Sequence, residues 1–197
     1  MVDIIYSYYP TIEVAPGCFG FRGFFIFKGC LHMERVVCFV DGFNVYHALV
    51  SLWKQYNIQS NHLKWLDLNK LIENRLNVNQ ELVDIYFFTA RPSFYKNTSN
   101  ASKIDRYTAY TEALKYKGVK VVEGRFKDRD EWVYCKPCGE IKKRKSKEEK
   151  ESDVNFACWL LRLAHEDGFD KAMILSQDTD LLPPIRHIKE LGAVPAN

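Results

Sequence analysis

Residues 35–44 read RVVCFVDGFN, an apolar run that ends in an acid, a glycine and an amide. A strand that is apolar at successive positions is buried on both faces, as in a parallel sheet covered by helices. Three more short apolar runs follow, at residues 82–89, 119–123 and 172–176. We therefore predict a central sheet of buried, mainly parallel strands.

Helical patterns separate these runs, at residues 44–57, 66–76, 101–117 and 153–167. In the last of them an apolar stripe recurs at helical spacing; its members are Val154, Ala157, Leu161 and Ala164. The alternation of strands and helices predicts an α/β fold with right-handed crossovers.

The 197 residues suffice for one domain, which we assign to residues 33–197. Residues 1–32 are rich in aromatics and glycine, and are either an upstream extension before a true start at Met33 or a family-specific strand or hairpin. Residues 124–152 are polar and are interpreted as a partly mobile excursion from the sheet. Another strand begins at residues 193–197, so one reading is a fragment that lacks its last strand and helix.

Composition argues against a secreted or membrane protein. No basic region opens the chain, and the most apolar stretch, residues 19–27, is too short to span a bilayer and contains Arg22. Cys38 and Cys158 lie in apolar patterns, which predicts buried thiols in a reducing compartment. We expect a cytoplasmic protein without a membrane partner, whose net charge of +3 neither demands nor excludes a polyanion.

Four aspartates are predicted to converge at one edge of the sheet. Asp41 follows the first strand, Asp178 and Asp180 follow the fourth, and Asp153 opens the helix before it. Ligands of open parallel sheets lie beyond the carboxyl ends of the strands. Because clustered carboxylates repel one another, the pattern predicts Mg²⁺ or Mn²⁺, which could activate water against a phosphodiester.

Neutral side chains in the same segments are expected to orient a water or a carboxylate: Asn44, Ser176 and Thr179. Each acid alone also has a structural explanation. Asp180 precedes Pro183 and is a natural helix N-cap, Asp153 could serve a helix N-terminus, and Asp41 could open a turn. Acids at two strand ends and a helix start together favour a functional site.

Three ordered motifs resemble one known family. Residues 37–46 resemble its first strand and Asp-Gly-x-Asn signature, residues 149–157 its Lys-x-x-Asp-Val helix start, and residues 176–181 its Ser-x-Asp-Ser-Asp motif, with Thr179 replacing a serine. Over about residues 34–194 the chain resembles the NYN domain, a branch of the PIN-like nucleases, and specifically the LabA-like group.

The resemblance implies a PIN-like three-layer sandwich, a divalent metal and RNA as the substrate. It also implies that Asn44 and Ser176 support the metal-site acids, which are Asp41, Asp153, Asp178 and Asp180. One departure is Trp159, because many relatives carry a further acid there. The departure favours a leaner site with weaker or absent activity.

Cys135 and Cys138 have the spacing of a zinc knuckle, but they form only half of a tetrahedral site. The pair is interpreted either as Zn²⁺ ligands completed by a distant histidine or a second chain, or as two free thiols or a redox pair. A homodimer is therefore left open.

A basic run precedes Asp153 and could grip RNA phosphates in a salt-sensitive manner; it comprises Lys142, Lys143, Arg144 and Lys145. Lys150 and Arg91 are further phosphate-binding candidates. Trp132 and Tyr134 could stack bases or cover the core.

Three functions follow, led by a metal-dependent ribonuclease. The second is a non-catalytic module that binds RNA or a partner through a degenerate metal site. The third is a small-molecule hydroxylase, as some relatives are named, although the chain has no Gly-rich nucleotide fingerprint.

Overall fold

The computed structural model describes residues 33–56, 65–95, 99 and 101–192. The elements described are β1 (Glu34–Asp41), α1 (Gly42–Gln55), α2 (Leu68–Glu73), β2 (Gln80–Ala90), α3 (Ser102–Tyr116), β3 (Lys120–Cys135), β4 (Glu140–Lys150), α4 (Ser152–His165), β5 (Lys171–Leu175) and α5 (Leu182–Gly192). The predicted N-terminal extension at residues 1–32 and the predicted strand at 193–197 lie outside the described residues. No helix within these ranges has the length and apolar character needed to cross a bilayer.

The strands form one mixed sheet in the order β4-β3-β2-β1-β5. β1 is parallel to both of its neighbours, β2 and β5, and β3 is parallel to β2. Only the β3–β4 pair is antiparallel. The chain therefore adds strands on one side of β1 and then returns to its other side, so the strand order reverses beside β1, where a ligand site is expected.

Helices cover both faces of the sheet and explain why β1 is apolar throughout. The face under α4 and α5 holds a core that includes Phe39, Phe88, Phe156, Leu160 and Ile185. The opposite face holds a second core that includes Val40, Leu68, Ile72, Phe87 and Leu114. Two cores on one sheet confirm the predicted α/β sandwich of three layers.

The buried face of α4 differs from the predicted stripe. Phe156 and Leu160 are its fully buried apolar residues, whereas Val154 is 64% exposed. Cys158 was predicted to be buried but is exposed, while Cys38 is buried as predicted. The helix turns its larger side chains toward an aromatic sheet surface, because burying a phenylalanine removes more apolar area from water than burying a valine.

The segment predicted as a partly mobile excursion is a regular hairpin. β3 pairs with β2 as far as Gly124 and then with β4 from Arg125 to Cys135, at 11 successive positions. We call residues 125–150 the hairpin arm. A Cβ at Gly124 would lie 2.6 Å from the Lys150 carbonyl oxygen, so glycine permits the close approach of the two strands at the root of the arm.

Candidate functional site

Asp41 ends β1 and caps α1. Its Oδ1 accepts hydrogen bonds from the backbone N–H groups of Phe43 at 3.1 Å and Asn44 at 3.0 Å. The next residue is Gly42, where a Cβ would lie 2.4 Å from the Phe87 ring on β2. Glycine therefore lets α1 begin directly against the sheet and keeps the Asp41 carboxylate, which is only 6% exposed, at the strand end.

Ser176 joins the ends of two neighbouring strands. Its hydroxyl, just beyond β5, donates to Asp41 Oδ2 at 3.0 Å and accepts from the Asp178 backbone N–H at 3.0 Å. The Asn44 side-chain amide also donates to Asp41 Oδ2. Two donors on each oxygen occupy all the acceptor positions of this carboxylate.

Asp178 and Asp180 stand at the start of a 3-10 turn, Thr179–Leu181, that leads into α5. Asp178 Oδ1 accepts from the Asp180 backbone N–H at 2.8 Å, so the capping role expected of Asp180 belongs to Asp178. Thr179 is exposed, and no hydrogen bond to its hydroxyl is found within the described ranges.

Asp153 lies in the first turn of α4 and completes the predicted set of acids. Partial burial raises the pKa of its carboxyl, and the negative charges of Asp178, Asp41 and Asp180 raise it further. Charges affect one another's pKa this way only over short distances. The fold thus brings all four aspartates into electrostatic reach at the carboxyl edge of the sheet.

Glu149 is a fifth acid, which sequence reasoning missed. It lies at the root of the hairpin arm, where its carboxylate accepts a hydrogen bond from the Ser152 hydroxyl. Burial raises its pKa, Ser152 opposes the rise, and the charges of Asp41 and Asp153 add to it. The sequence feature that could have identified Glu149 is its position four residues before Asp153, and this position is informative only once β4 is recognised as a strand. We call these five residues the acid cluster: Asp41, Glu149, Asp153, Asp178 and Asp180.

The donor set of the acid cluster fits a hard, hydrated cation. It offers carboxylate oxygens, and the charges that raise the pKa values of Asp153 and Glu149 are all negative. Within the described ranges no three His, Cys, Asp or Glu side chains already converge on one point. Mg²⁺ is commonly held through one or two carboxylates and several waters, so it does not require such convergence. A cation would reach Asp41 directly only by displacing one of its four hydrogen-bond donors.

Trp159 is partly buried and packs against the core under α4 and α5. Its ring packs 5.0 Å from that of Tyr86, and the Arg162 guanidinium lies 5.1 Å from the Trp159 ring. Tyr86 lies on β2 two positions before Phe88, and Phe88 is the residue opposite Asp41. The tryptophan therefore extends the apolar contact of α4 with the sheet.

The predicted basic residues do not form one patch. Alternate residues of β4 point to opposite faces, so Lys142 and Arg144 lie on one face of the hairpin arm and Lys143 and Lys145 on the other. Lys150 lies at the root of the arm and pairs with Glu148 at 2.9 Å. Arg91 is exposed immediately after β2.

Cys135 and Cys138 lie at the tip of the hairpin arm as free thiols. A hydrogen bond with Cys135 lowers the pKa of the exposed Cys138 thiol, and the Glu140 backbone N–H lowers it further. No third side chain completes a metal site around them within the described ranges. The described residues thus supply two thiols and no further ligand, and both interpretations of the pair, zinc ligands and free thiols, stay predictions.

Comparison with known proteins agrees with the fold. The family model for the NYN domain matches residues 35–194, which includes the whole acid cluster and the hairpin arm. No curated protein and no solved structure matches the chain. A family match over most of the chain shows membership of that family, and the observed three-layer sandwich agrees with the match. The chain therefore belongs to the NYN domain family, a branch of the PIN-like nuclease superfamily.

Proposed function

We propose that this protein is a metal-dependent ribonuclease that hydrolyses RNA phosphodiester bonds at the acid cluster. The observation that carries the proposal is the Ser176 hydroxyl, which links Asp41 at the end of β1 to Asp178 beyond β5. That link draws carboxylates from two neighbouring strands to the point where the strand order reverses. Membership of a nuclease superfamily supports a phosphodiester as the substrate.

The side chains divide the work by their environment. Asp153, Asp178 and Asp180 are the less enclosed carboxylates and would hold Mg²⁺ or Mn²⁺, whose Lewis acidity offsets the charge that grows on the phosphodiester. Asp41 is buried and fully hydrogen-bonded, so it would fix the geometry through Ser176 and Asn44. Glu149 has a raised pKa and could take up a proton at the edge of the site.

The test is cleavage of mixed RNA and DNA substrates with and without Mn²⁺. Wild type should cut RNA only with the metal, and Asp178→Asn should lower the rate by roughly a hundredfold or more, because metal catalysis contributes several kcal/mol. Asp84→Asn is the matched control, since Asp84 lies on β2 four positions before Phe88 and pairs with Lys120. Undiminished cleavage by Asp178→Asn would reject the assignment.

A second function is a non-catalytic RNA- or partner-binding module with a degenerate metal site. Trp159 favours it, because an aromatic ring packed on Tyr86 stands where many relatives carry an acid. The full set of hydrogen bonds on Asp41 favours it as well. If wild type binds RNA but cuts nothing in Mg²⁺ or Mn²⁺, this function replaces the first.

The remaining assignments are subordinate proposals. Zn²⁺ at Cys135 and Cys138 requires ligands from elsewhere, for example from a second chain, and metal analysis of protein purified without a histidine tag tests it. A LabA-like affiliation and a cytoplasmic location stay predictions from the sequence. A hydroxylase activity finds no support in the acid cluster.

A further inference from the structure

The hairpin arm concentrates the positive charge of the chain. Between Arg125 and Lys150 there are ten basic and six acidic residues, a net charge of +4 compared with +3 for all 197 residues. The rest of the chain is therefore slightly acidic. A polyanion that approaches this protein is attracted to the arm before any other region.

The register of the arm divides its side chains between two faces. Residues directly opposite one another in an antiparallel pair share a face. One face, which we call the aromatic face, has five such cross-strand pairs: Phe126–Glu149, Asp128–Lys147, Asp130–Lys145, Trp132–Lys143 and Tyr134–Ile141. The basic run is thus split: Lys143 lies opposite Trp132 and pairs with Asp130 at 2.7 Å, and Lys145 lies opposite Asp130.

The aromatic face begins at the acid cluster. Glu149, its innermost member, accepts a hydrogen bond from the hydroxyl of Ser152, the residue before Asp153. Its partner Phe126 packs on Phe94, with the ring centroids 4.9 Å apart. Lys143 lies six positions before Glu149, which at about 3.3 Å per residue is roughly 20 Å along the strand. One surface therefore connects the acids to the outer half of the arm.

The outer half of this face exposes apolar side chains to water. Trp132 is 68% exposed, Tyr134 62% and Ile141 68%. Large rings that are exposed on a two-stranded ribbon contribute little to its stability. Aromatic rings beside lysines are typical of sites that stack unpaired bases. A duplex hides its bases, so the chemistry of this face fits a single strand.

We propose that the aromatic face of the hairpin arm binds single-stranded nucleic acid, with bases stacked on Trp132 and Tyr134 and phosphates beside Lys143 and Lys145, and leads the strand to the acid cluster. The proposal rests on the proposed function only for its last step, the cleavage of the bound nucleic acid at the acid cluster. Binding itself depends on the arm alone.

The test measures binding of a fluorescein-labelled oligouridine by anisotropy, with a chelator present so that no cleavage occurs. Trp132→Ala combined with Tyr134→Ala should weaken binding by about tenfold or more, because each base stacked on an aromatic ring contributes to the free energy of binding. Trp132→Phe should retain most of the affinity. The matched control is Tyr56→Ala combined with Tyr116→Ala, two exposed tyrosines outside the arm, and it should bind as wild type does.

Charge variants test which face the strand follows. Lys143→Ala with Lys145→Ala should weaken binding more than Lys142→Ala with Arg144→Ala, although both pairs remove two charges from the same strand. Equal losses from the two pairs, undiminished binding by the aromatic variant, or equally tight binding of a duplex would overturn the proposal. A change of oligomeric state in the aromatic variant without loss of oligouridine binding would assign the face to a second copy of the chain instead.

The same series separates this proposal from the nuclease proposal. If wild type cuts nothing but its binding depends on the aromatic face, the arm is a binding surface and the nuclease proposal fails. If cleavage requires Asp178 while the aromatic variant binds and cuts as wild type does, the nuclease stands and the role of the arm is rejected.

Discussion

The Ser176 hydroxyl links the Asp41 carboxylate at the end of β1 to the Asp178 backbone beyond β5. Ser176→Ala removes one hydrogen bond to a buried carboxylate and one to the Asp178 backbone. We expect the cleavage rate to fall by about tenfold, since a hydrogen bond to a charged group contributes about 1.5–3 kcal/mol. Thr179→Ala is the control, because no hydrogen bond to its hydroxyl is found within the described ranges. Equal losses would mean that the link is not functional.

The burial of Asp153, together with repulsion from the other acids, makes stability depend on pH. The folded-state pKa of Asp153 is raised, so its ionisation costs stability as pH rises past the unfolded value of about 3.9. Asp153→Asn should therefore raise the Tm of the metal-free protein at neutral pH and have little effect below about pH 4. Mn²⁺ should raise the Tm of wild type more than that of the variant. A lower Tm for the variant at neutral pH would contradict the repulsion.

The four described cysteines should differ in reactivity toward iodoacetamide. The Cys138 thiol is exposed and its pKa is lowered by Cys135, whereas burial raises the pKa of Cys38. The thiolate is the reacting form, so Cys138 should be alkylated first and Cys38 only after unfolding. Peptide mass spectrometry over time measures the order, with the exposed Cys158 as an internal comparison. Slow labelling of Cys138 that a chelator restores would instead indicate a bound metal.

Among the elements, the root of the hairpin arm tolerates no side chain at Gly124. Gly124→Asn forces a Cβ against the Lys150 carbonyl and Ser152, and should destabilise the protein by roughly 1–3 kcal/mol in urea unfolding. Gly118→Asn is the matched control: Gly118 has a φ of +85° and open space around it. Asparagine adopts that conformation more readily than most residues, so the control should cost less. The reverse order would show that the packing at Gly124 relaxes.

Apolar runs predicted the parallel strands, and charged runs did not predict β4. β1, β2 and β5 are buried on both faces, so their hydrophobicity reports their structure directly. β4 carries lysine, arginine or glutamate at most positions because most of its side chains are exposed in the part of the chain that the structure describes, and it pairs with β3 across a turn. The face of α4 was misjudged for a related reason: which side of a helix is buried depends on the sheet that it meets, here the ring cluster around Phe39.

At the scale of the whole molecule, stability should decrease from the centre of the sheet outward. β1 has neighbours on both edges and helices on both faces, whereas the side chains of the outer hairpin arm are mostly exposed, as far as the described residues extend. Native-state hydrogen exchange should therefore show the strongest protection in β1 and β2 and the weakest in β4, without global unfolding. Equal protection throughout would mean that the arm and the sheet open as one unit.

The sequence alone predicted four members of the acid cluster, because chain order places them at strand ends and a helix start. Their proximity follows from a parallel topology. Glu149 and the two faces of the hairpin arm could not be found in the same way. Both depend on a cross-strand register, and a register is a property of paired strands that no single segment contains.

β3 belongs to the sheet and to the hairpin arm without interruption, from Lys120 to Cys135. Because β3 has no break between the sheet and the hairpin arm, the extended backbone of the folded arm sets the distance from Trp132 to the edge of the sheet that carries the acid cluster. If the protein cleaves RNA as proposed, an RNA strand bound at Trp132 would be cut at a set number of nucleotides from the bound base. The products from a uniform oligomer would then have a narrow range of lengths, and moving the tryptophan by two positions along β3 would shift that range.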